Sequence, residues 1–413
     1  MKAMLQVFAL NAGGKVLLGV MTVLVIRYMP AEQFAHYTLA LALATFVSQA
    51  LSSSFNSIYI VGHERLALRT SFAALASLQV IMLAAVWILL SPLQGRMAGT
   101  FWWAFVFAIG VCAVEFAKTV YQQQHRFLSL STMEVIRSVV ILISTAALVY
   151  ALRDHLRAWH VLGIQAASML AVSGPTVRAR TSIEGLTHLR RAREIAVQLL
   201  RGEYRFLFAY FGVVALLSQT GVFALKFLAS DMELASFGAA FRYYSLISLA
   251  LAAVNAVLLP VLQASTSIGA VNAVFAQQAK SLAIFATAVV VSVLVAPWAL
   301  PWLDRGRYPA SVPTFQILAL SAIISFALSP HANLVLRYEQ FRFLSKLVLA
   351  AFGLHLLLAY LLVGKWGAVG AAWSAAAAFA FLNGLSYMKA RELRRQPAMT
   401  KTSLVGINPL ADR

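Results

Sequence analysis

Long apolar runs dominate the chain, and short polar segments separate them at regular intervals. From Leu5 to Met388, apolar stretches of about 20 residues recur without the strict alternation of a half-buried strand. A bilayer core needs about 20 apolar residues per helix, whereas a membrane barrel strand is about ten residues long and alternates. The pattern therefore predicts an all-α integral membrane protein.

By this length criterion the chain contains twelve predicted spans. They are 5–26, 34–60, 71–90, 101–120, 131–150, 158–175, 206–229, 237–260, 281–302, 314–336, 344–363 and 366–388. The first span follows Met1-Lys2 directly and is too long for the apolar core of a signal peptide, so we expect it to remain as a helix.

The longest polar connection divides the twelve spans into six and six. We predict an N-terminal lobe at 1–176, a basic cytoplasmic linker at 177–205, a C-terminal lobe at 206–388 and a basic cytoplasmic tail at 389–413. Within the linker, apolar positions at helical spacing oppose several arginines. This pattern fits an amphipathic helix on the membrane surface and, equally, a solvated linker.

Composition narrows the class of protein further. The chain is 61% hydrophobic and 11% charged, whereas a soluble domain has about 45–50% apolar and about 25% charged residues. A single cysteine, Cys112, excludes a disulfide framework, and the histidines lack metal-ligand spacing. The Gly13-Gly14-Lys15 string lacks the other residues of a phosphate-binding loop. We therefore expect no enzyme activity, no metal and no cofactor.

Charge sets the expected orientation. Most of the 33 Lys and Arg residues fall in cytoplasmic segments if both termini are cytoplasmic, and the tryptophans then lie toward the external helix ends. The net charge of +19 indicates attraction to anionic inner-leaflet lipids. Nucleic acid is not an expected partner, because no soluble module carries that charge.

The two halves contain a weak sequence repeat. Residues 27–30 (RYMP) and 34–37 (FAHY) are echoed about 200 residues later by 226–229 (KFLA) and 234–237 (LASF). Each stretch joins the first and second spans of its half. An even number of spans between copies would place them parallel, as in transporters whose site lies between two repeats. Chance similarity between short loops is the alternative.

At these residues the sequence resembles a known family. Residues 27–37 (RYMPAEQFAHY) are similar to the "ARYLGPEGFGxY" stretch of polysaccharide flippases, the Wzx-like members of the MOP (multidrug/oligosaccharidyl-lipid/polysaccharide) exporter superfamily. The strings 122–127 (QQQHRF), 258–260 (LLP) and 367–372 (GAVGAA) also occupy matching places. The chain departs from the family at Met29-Pro30, where leucine-glycine-proline is usual, and at Ala35 and His36.

The resemblance implies a fold and a cargo. The fold would be about twelve helices in two pseudo-symmetric six-helix lobes, arranged as a V with a cavity lined by spans one, two, seven and eight. The cargo would be a polyprenyl diphosphate-linked oligosaccharide, flipped from the inner to the outer leaflet of a bacterial inner membrane for surface polysaccharide biosynthesis. Other polysaccharide assembly proteins would be partners.

Polar residues inside these four spans support such a cavity independently. Polar side chains are costly in hydrocarbon and gather on faces that line water or protein. The predicted cavity-lining polar residues are Asn11, Thr22, Gln49, Ser52, Asn56, Gln219, Ser245, Ser248 and Asn255. Hydrogen bonding between helices within one lobe is the alternative interpretation of each polar face.

The charged residues within the spans then indicate the charge of the cargo. Lys15 lies in the middle of the first span, where an unpaired cation costs about 2.5–3.5 kcal/mol. We predict that Lys15, Arg242 and Lys226 bind the diphosphate. The alternative for Lys15 is pairing with a group from another helix. The pairs Glu115 with Lys118 and Glu134 with Arg137 are three residues apart, so we expect each pair to neutralise itself.

The sequence therefore favours a lipid-linked oligosaccharide flippase over three alternatives. A MATE-type exporter of organic cations would require buried acid, and spans one and seven contain none. A membrane glycosyl polymerase or ligase would require sizeable external loops, and the predicted ones are short. A non-transporting scaffold would not require Lys15 or the polar faces.

Overall fold

The protein is a bundle of long helices in the computed structural model, which describes residues 2–61, 72–97, 99–124, 126–152, 155–181, 204–264, 268–338 and 340–395. These ranges contain no strand. The helices are α1 (Lys2–Tyr28), α2 (Ala31–Val61), α3 (Phe72–Leu89), α4 (Phe101–Gln123), α5 (Phe127–Leu152), α6 (Ala158–Thr181), α7 (Tyr204–Leu228), α8 (Asp231–Ala264), α9 (Ile268–Asp304), α10 (Ser311–Arg337) and α11 (Phe341–Arg395).

Each predicted span coincides with a helix, and α11 contains the last two spans. The two parts of α11 meet at Gly367, whose φ of 50° and ψ of −126° are not helical. Glycine adopts positive φ without the clash that a Cβ would cause. The break therefore divides α11 into two helices, and the expected twelve helical segments are confirmed.

Many of these helices are long enough to cross a bilayer. Within the described residues, 7 helices combine the required length and apolar composition, and one of them, Arg342–Arg394, has 53 residues and includes both parts of α11. The apolar helix Ala74–Leu89 is shorter. The protein is accordingly a multi-pass membrane protein.

The helices pack mainly within their own half of the chain. In the first half α1 packs on α5, while α2 and α6 pack on α4; in the second half α7 and α10 pack on α11, and α8 packs on α10. Helix α2 crosses this division and contacts α7 and α8. This packing gives the two six-helix lobes that the resemblance implies.

The lobes meet closely at the end where α1 joins α2, which the charge pattern predicts to be external. Thr38 of α2 lies so near Gly238 of α8 that a Cβ on Gly238 would overlap its side chain. The rings of Phe34 and Tyr308 are 5.5 Å apart. This end of the bundle is therefore closed by direct contact between the halves.

A repeated hydrogen bond relates the two halves. Gln33, near the start of α2, accepts a bond at 3.3 Å from the backbone N–H of Ala158 at the start of α6. Glu233, near the start of α8, accepts one at 2.7 Å from the N–H of Ala368, which follows the break in α11. Gln33 and Glu233 occupy corresponding positions of the sequence repeat. The same contact thus recurs in both lobes, as an internal duplication would produce.

Two helices extend past the predicted boundaries of the lobes. Helix α6 continues to Thr181, past the boundary at 176, and α11 continues to Arg395, past 388. The predicted amphipathic helix of the linker falls at 189–201, and most of the basic tail follows residue 395. Both lie outside the described residues.

Candidate functional site

A cavity of about 220 Å³ lies between the two lobes. Its wall is formed by α1, α2, α4, α5 and α6 of the first half and by α8 of the second. The lining residues are Lys15, Leu18, Gly19, Met21, Thr22, Val23, Tyr37, Leu41, Phe107, Arg137, Ile141, Gln165, Met169, Arg242, Tyr243, Ser245 and Leu246. We treat this cavity as the candidate site.

The charge on the cavity wall is entirely positive. Lys15, Arg137 and Arg242 line it, and the lining contains no aspartate or glutamate. Among the described residues, no carboxylate lies within ion-pair distance of Lys15 or Arg242. Cations held apart from acids in a poorly solvated space favour an anionic ligand.

Behind this wall, four charged side chains form a network between α4 and α5. Lys118 Nζ lies 2.7 Å from Glu115 Oε1 and 2.6 Å from Glu134 Oε1. The other oxygen of Glu134 accepts a hydrogen bond from Arg137. The two pairs expected from their spacing are thus present, and Lys118 joins them into one network.

The position of Lys15 depends on a close approach of α1 to α5. A Cβ on Gly14 would lie 3.4 Å from the Ser138 hydroxyl and 3.6 Å from the backbone oxygen of Glu134, so the two helices are almost in backbone contact. This packing places Lys15 beside the network, and Lys118 and Arg137 occupy both oxygens of Glu134.

Four of the predicted site residues line the cavity, namely Lys15, Thr22, Arg242 and Ser245. The hydroxyls of Thr22 and Ser245 donate to the backbone oxygens of Leu18, at 2.9 Å, and Arg242, at 2.6 Å. Each hydroxyl keeps lone pairs that can accept from a ligand. The structure therefore brings together residues that are distant in the sequence.

Other predicted residues lie elsewhere. Lys226 is 2.8 Å from Asp231 and is not a lining residue. Ser52 accepts a hydrogen bond from Gln79 at 2.7 Å and contacts the Cys112 sulfur at 3.6 Å, which is the packing alternative within one lobe.

Three further predicted polar residues whose side chains the structure describes do not line this cavity either. Gln219 is buried and donates to Ser218 at 3.1 Å, Ser248 donates to the Ser245 backbone at 2.8 Å, and Gln49 is exposed. The side chains of Asn11, Asn56 and Asn255 lie outside the described part of the chain.

The expected set of cavity helices needs correction. Spans one, two, seven and eight were expected to line the cavity, yet none of its lining residues comes from α7, and α4, α5 and α6 contribute instead. Helix α7 packs against α2 and α11 instead. Asp231 and Glu233 of the second lobe lie outside the cavity and are bonded to Lys226 and to the N–H of Ala368.

Four polar lining residues were not predicted as ligands, namely Arg137, Tyr37, Gln165 and Tyr243. Arg137 was assigned only to its pair with Glu134, although it also reaches the cavity. Tyr37 and Gln165 share a hydrogen bond at 3.0 Å across α2 and α6. The signal for Gln165 was present in the sequence, because it is an amide inside the predicted sixth span.

No protein-family model matches this chain, and no curated protein matches it. Solved structures do match. A lipid II flippase, MurJ, in an inward closed conformation has a TM-score of 0.75 at 10% identity, over 94% of this chain and 87% of that chain. A multidrug resistance MATE family transporter of the MOP superfamily, in an outward-facing conformation, has a TM-score of 0.65 at 14% identity, over 95% of both chains.

A third match is a MOP superfamily transporter from Pyrococcus furiosus that is described as having a binding pocket of reversed polarity. Its TM-score is 0.66 at 13% identity, over 95% of both chains. Identities this low support a shared fold and leave function open. The chain therefore has the two-lobed helical fold found in transporters and flippases of the MOP superfamily.

Proposed function

We propose that the protein is a flippase that moves a polyprenyl diphosphate-linked oligosaccharide from the inner to the outer leaflet for surface polysaccharide biosynthesis. The observation that carries this proposal is the convergence of Lys15, Arg137 and Arg242 on one cavity whose lining contains no carboxylate. Three cations on three different helices, α1, α5 and α8, share that space.

The diphosphate is the part of the cargo that these cations suit. An ion pair at 4 Å gains about 4 kcal/mol at an effective dielectric near 20. Guanidinium groups match phosphate oxygens with two parallel hydrogen bonds, and the lysine adds a compact charge. The ligand would also neutralise Lys15 and Arg242, which have no carboxylate within ion-pair distance among the described residues.

The cavity is too small for the whole cargo, so the sugars and the prenyl chain must lie outside it. A volume of about 220 Å³ accommodates a diphosphate and not an oligosaccharide. The lobes must therefore separate to admit the sugar, while the prenyl chain stays in lipid beside the bundle. If the bundle opened at one side of the membrane while it closed at the other, and then reversed, the cycle would be alternating access.

The structural neighbours support more than one kind of cargo. One is a lipid II flippase and another is a multidrug resistance transporter. A MATE-type antiporter for organic cations is the second candidate, but the positive wall around Lys15 and Arg242 would repel such a cargo. We also place the protein in a bacterial inner membrane with both termini cytoplasmic, near anionic lipids and other polysaccharide assembly proteins.

Complementation tests the proposal. In a strain that lacks this gene, we expect wild type to restore surface glycan, Lys15→Ala to fail and Lys15→Arg to restore part of it. Lys226→Ala is the matched control, because that lysine is paired with Asp231 outside the cavity. Full glycan with Lys15→Ala, or drug resistance that depends on Lys15 with glycan unaffected, would overturn the assignment.

A further inference from the structure

A second pocket, of about 500 Å³, opens at the end of the first lobe that is predicted to be external. Its lining residues are Gln33, Gly99, Trp103, Arg157 and Trp159. They come from the start of α2, the connection before α4, α4 itself and the start of α6. Two large aromatic rings and two polar side chains therefore border one concave space.

The aromatic wall of this pocket is fixed in place. The rings of Trp103 and Trp159 are stacked, with centroids 5.7 Å apart and an angle of 25° between planes. Trp103 lies on the backbone of α6 at Gly163, where a Cβ would come within 2.8 Å of the ring. The His160 ring also contacts Trp159, with centroids 3.7 Å apart and an angle of 37° between planes. Rings held this way lose little freedom when a ligand binds.

Anchoring in the lipid headgroups is the ordinary role of external tryptophans, and these two differ from such anchors. Trp298 on α9 is 74% exposed, as expected of a ring surrounded by lipid. Trp103 is 38% exposed and Trp159 is half-buried, because the rings pack on each other and on α6. Their remaining surface borders a pocket that also contains an arginine and an amide.

The polar groups of the pocket suit hydroxyl groups. The guanidinium of Arg157 is exposed and has five N–H donors. The amide oxygen of Gln33 is occupied by the N–H of Ala158, which leaves the amide nitrogen to donate to a ligand. The face of an aromatic ring is electron-rich and attracts the polarised C–H bonds of a sugar ring. The arginine disfavours an organic cation at the same place.

The pocket is aligned with the candidate site. Gln33 precedes Tyr37 by one turn of α2, and Trp103 precedes Phe107 by one turn of α4, while Tyr37 and Phe107 line the cation cavity. Residues four apart share a helix face, and one turn rises about 5.4 Å. The pocket therefore lies directly outward of the cavity along the same two helices.

From these contacts we infer that the pocket formed by Trp103, Trp159, Arg157 and Gln33 is a saccharide-binding site at the outer mouth of the protein. The inference rests on the proposed function for the nature of the cargo. Once the lobes separate at this end, a sugar attached to a diphosphate in the cavity would extend toward this pocket. The stacked tryptophans would bind one sugar ring face-on, while Arg157 and Gln33 bind its hydroxyls.

Saturation-transfer NMR on the full chain in neutral-lipid nanodiscs tests the site, with cellotetraose, chitotetraose and maltotetraose as probes. We expect signal from at least one probe, reduced at least five-fold by Trp159→Ala and by Arg157→Ala. Arg157→Ala removes an exposed side chain, so it covers the case in which Trp159→Ala does not fold. The matched control is Trp298→Ala, which removes an exposed ring elsewhere and should leave the signal unchanged.

The outcomes separate this inference from the proposed function. No signal from any probe, or equal signals from wild type and both pocket variants, overturns the saccharide site and leaves the tryptophans as lipid anchors. Calorimetric titration with pyrophosphate, compared between wild-type and Lys15→Ala nanodiscs, reports on the cavity. Oligosaccharide binding without pyrophosphate binding would keep this site and refute the anionic cargo, and the reverse result would remove this site only.

Discussion

Thr38 and Gly238 lie against each other at the closed end of the bundle, and they occupy corresponding positions of the two halves, about 200 residues apart. When two halves are related by a two-fold axis, equivalent residues contact each other at that axis. The absence of a side chain on Gly238 lets α2 and α8 approach at this point. Gly238 thus contributes to the closed end of the bundle, beside the contact of Phe34 with Tyr308.

Adding a methyl group at this contact should therefore destabilise the closed end. We expect Gly238→Ala to cost about 1–3 kcal/mol, the usual range for overpacking, measured by unfolding in detergent. Combining it with Thr38→Ala should recover much of the loss. Gly212→Ala is the control, because nothing lies within 4 Å of its added Cβ. Equal effects at Gly212 and Gly238 would show that close approach is not the cause.

The hydrogen bond from Ala368 to Glu233 should stabilise the second part of α11. The first N–H groups of a helix lack partners within it, and a carboxylate also suits the positive helix end. We expect Glu233→Ala to cost about 1–2 kcal/mol of unfolding free energy. Gln33→Ala should cost less, because its bond to Ala158 is longer and neutral. Thermal melts of both variants, beside Met232→Ala at an exposed neighbouring position, provide the measurement.

Removing the Glu134 charge should be costlier than removing a surface acid. Glu134 is buried between Lys118 and Arg137, and breaking a buried pair costs about 3–5 kcal/mol because a charge is left uncompensated. We therefore expect Glu134→Gln to lower the unfolding midpoint strongly. Glu392→Gln breaks an exposed pair with Lys389, 2.8 Å long, for which about 0–1 kcal/mol is expected. Similar midpoints for the two variants would contradict the buried network.

Arg242 and Lys226 should differ in their contribution to anion binding, although the sequence nominated both. A hydrogen bond to a charged group contributes about 1.5–3 kcal/mol, so Arg242→Ala should weaken pyrophosphate binding by about ten-fold or more. Lys226→Ala should change the dissociation constant by less than about two-fold, because Asp231 already neutralises it. Calorimetry on the purified variants measures both constants. A larger effect at Lys226 would move the anion site away from this cavity.

Helix existence and number were predictable from the sequence. Apolar runs of bilayer length leave few alternatives, since every backbone polar group in lipid must be bonded internally. Even the division of α11 was signalled, because Gly367 lies one residue after the predicted start of the last span. The ion pairs of Glu115 with Lys118 and Glu134 with Arg137 were predictable too, because residues three apart on a helix are neighbours.

Polar residues inside the spans were harder to assign. The sequence singled out Lys15 and Arg242 as costly charges, and both line the cavity. It selected Ser52 and Gln219 by the same argument, and these are bonded inside the bundle. Helical spacing shows that polar residues share a face, but it does not distinguish a face that packs against another helix from one that lines a cavity.

The sequence alone thus determined the class of the protein, the positions of its helices and the excess of cations in its spans, because these follow from the cost of polar groups in lipid. Only the tertiary structure decided which cations share a space. Arg137 on α5 lines the same cavity as Lys15 and Arg242. This arrangement arises because Gly14 lets α1 approach α5, and because α8 packs against α2 of the first lobe. Contacts between helices distant in sequence depend on side-chain shape, which a hydrophobic pattern does not encode.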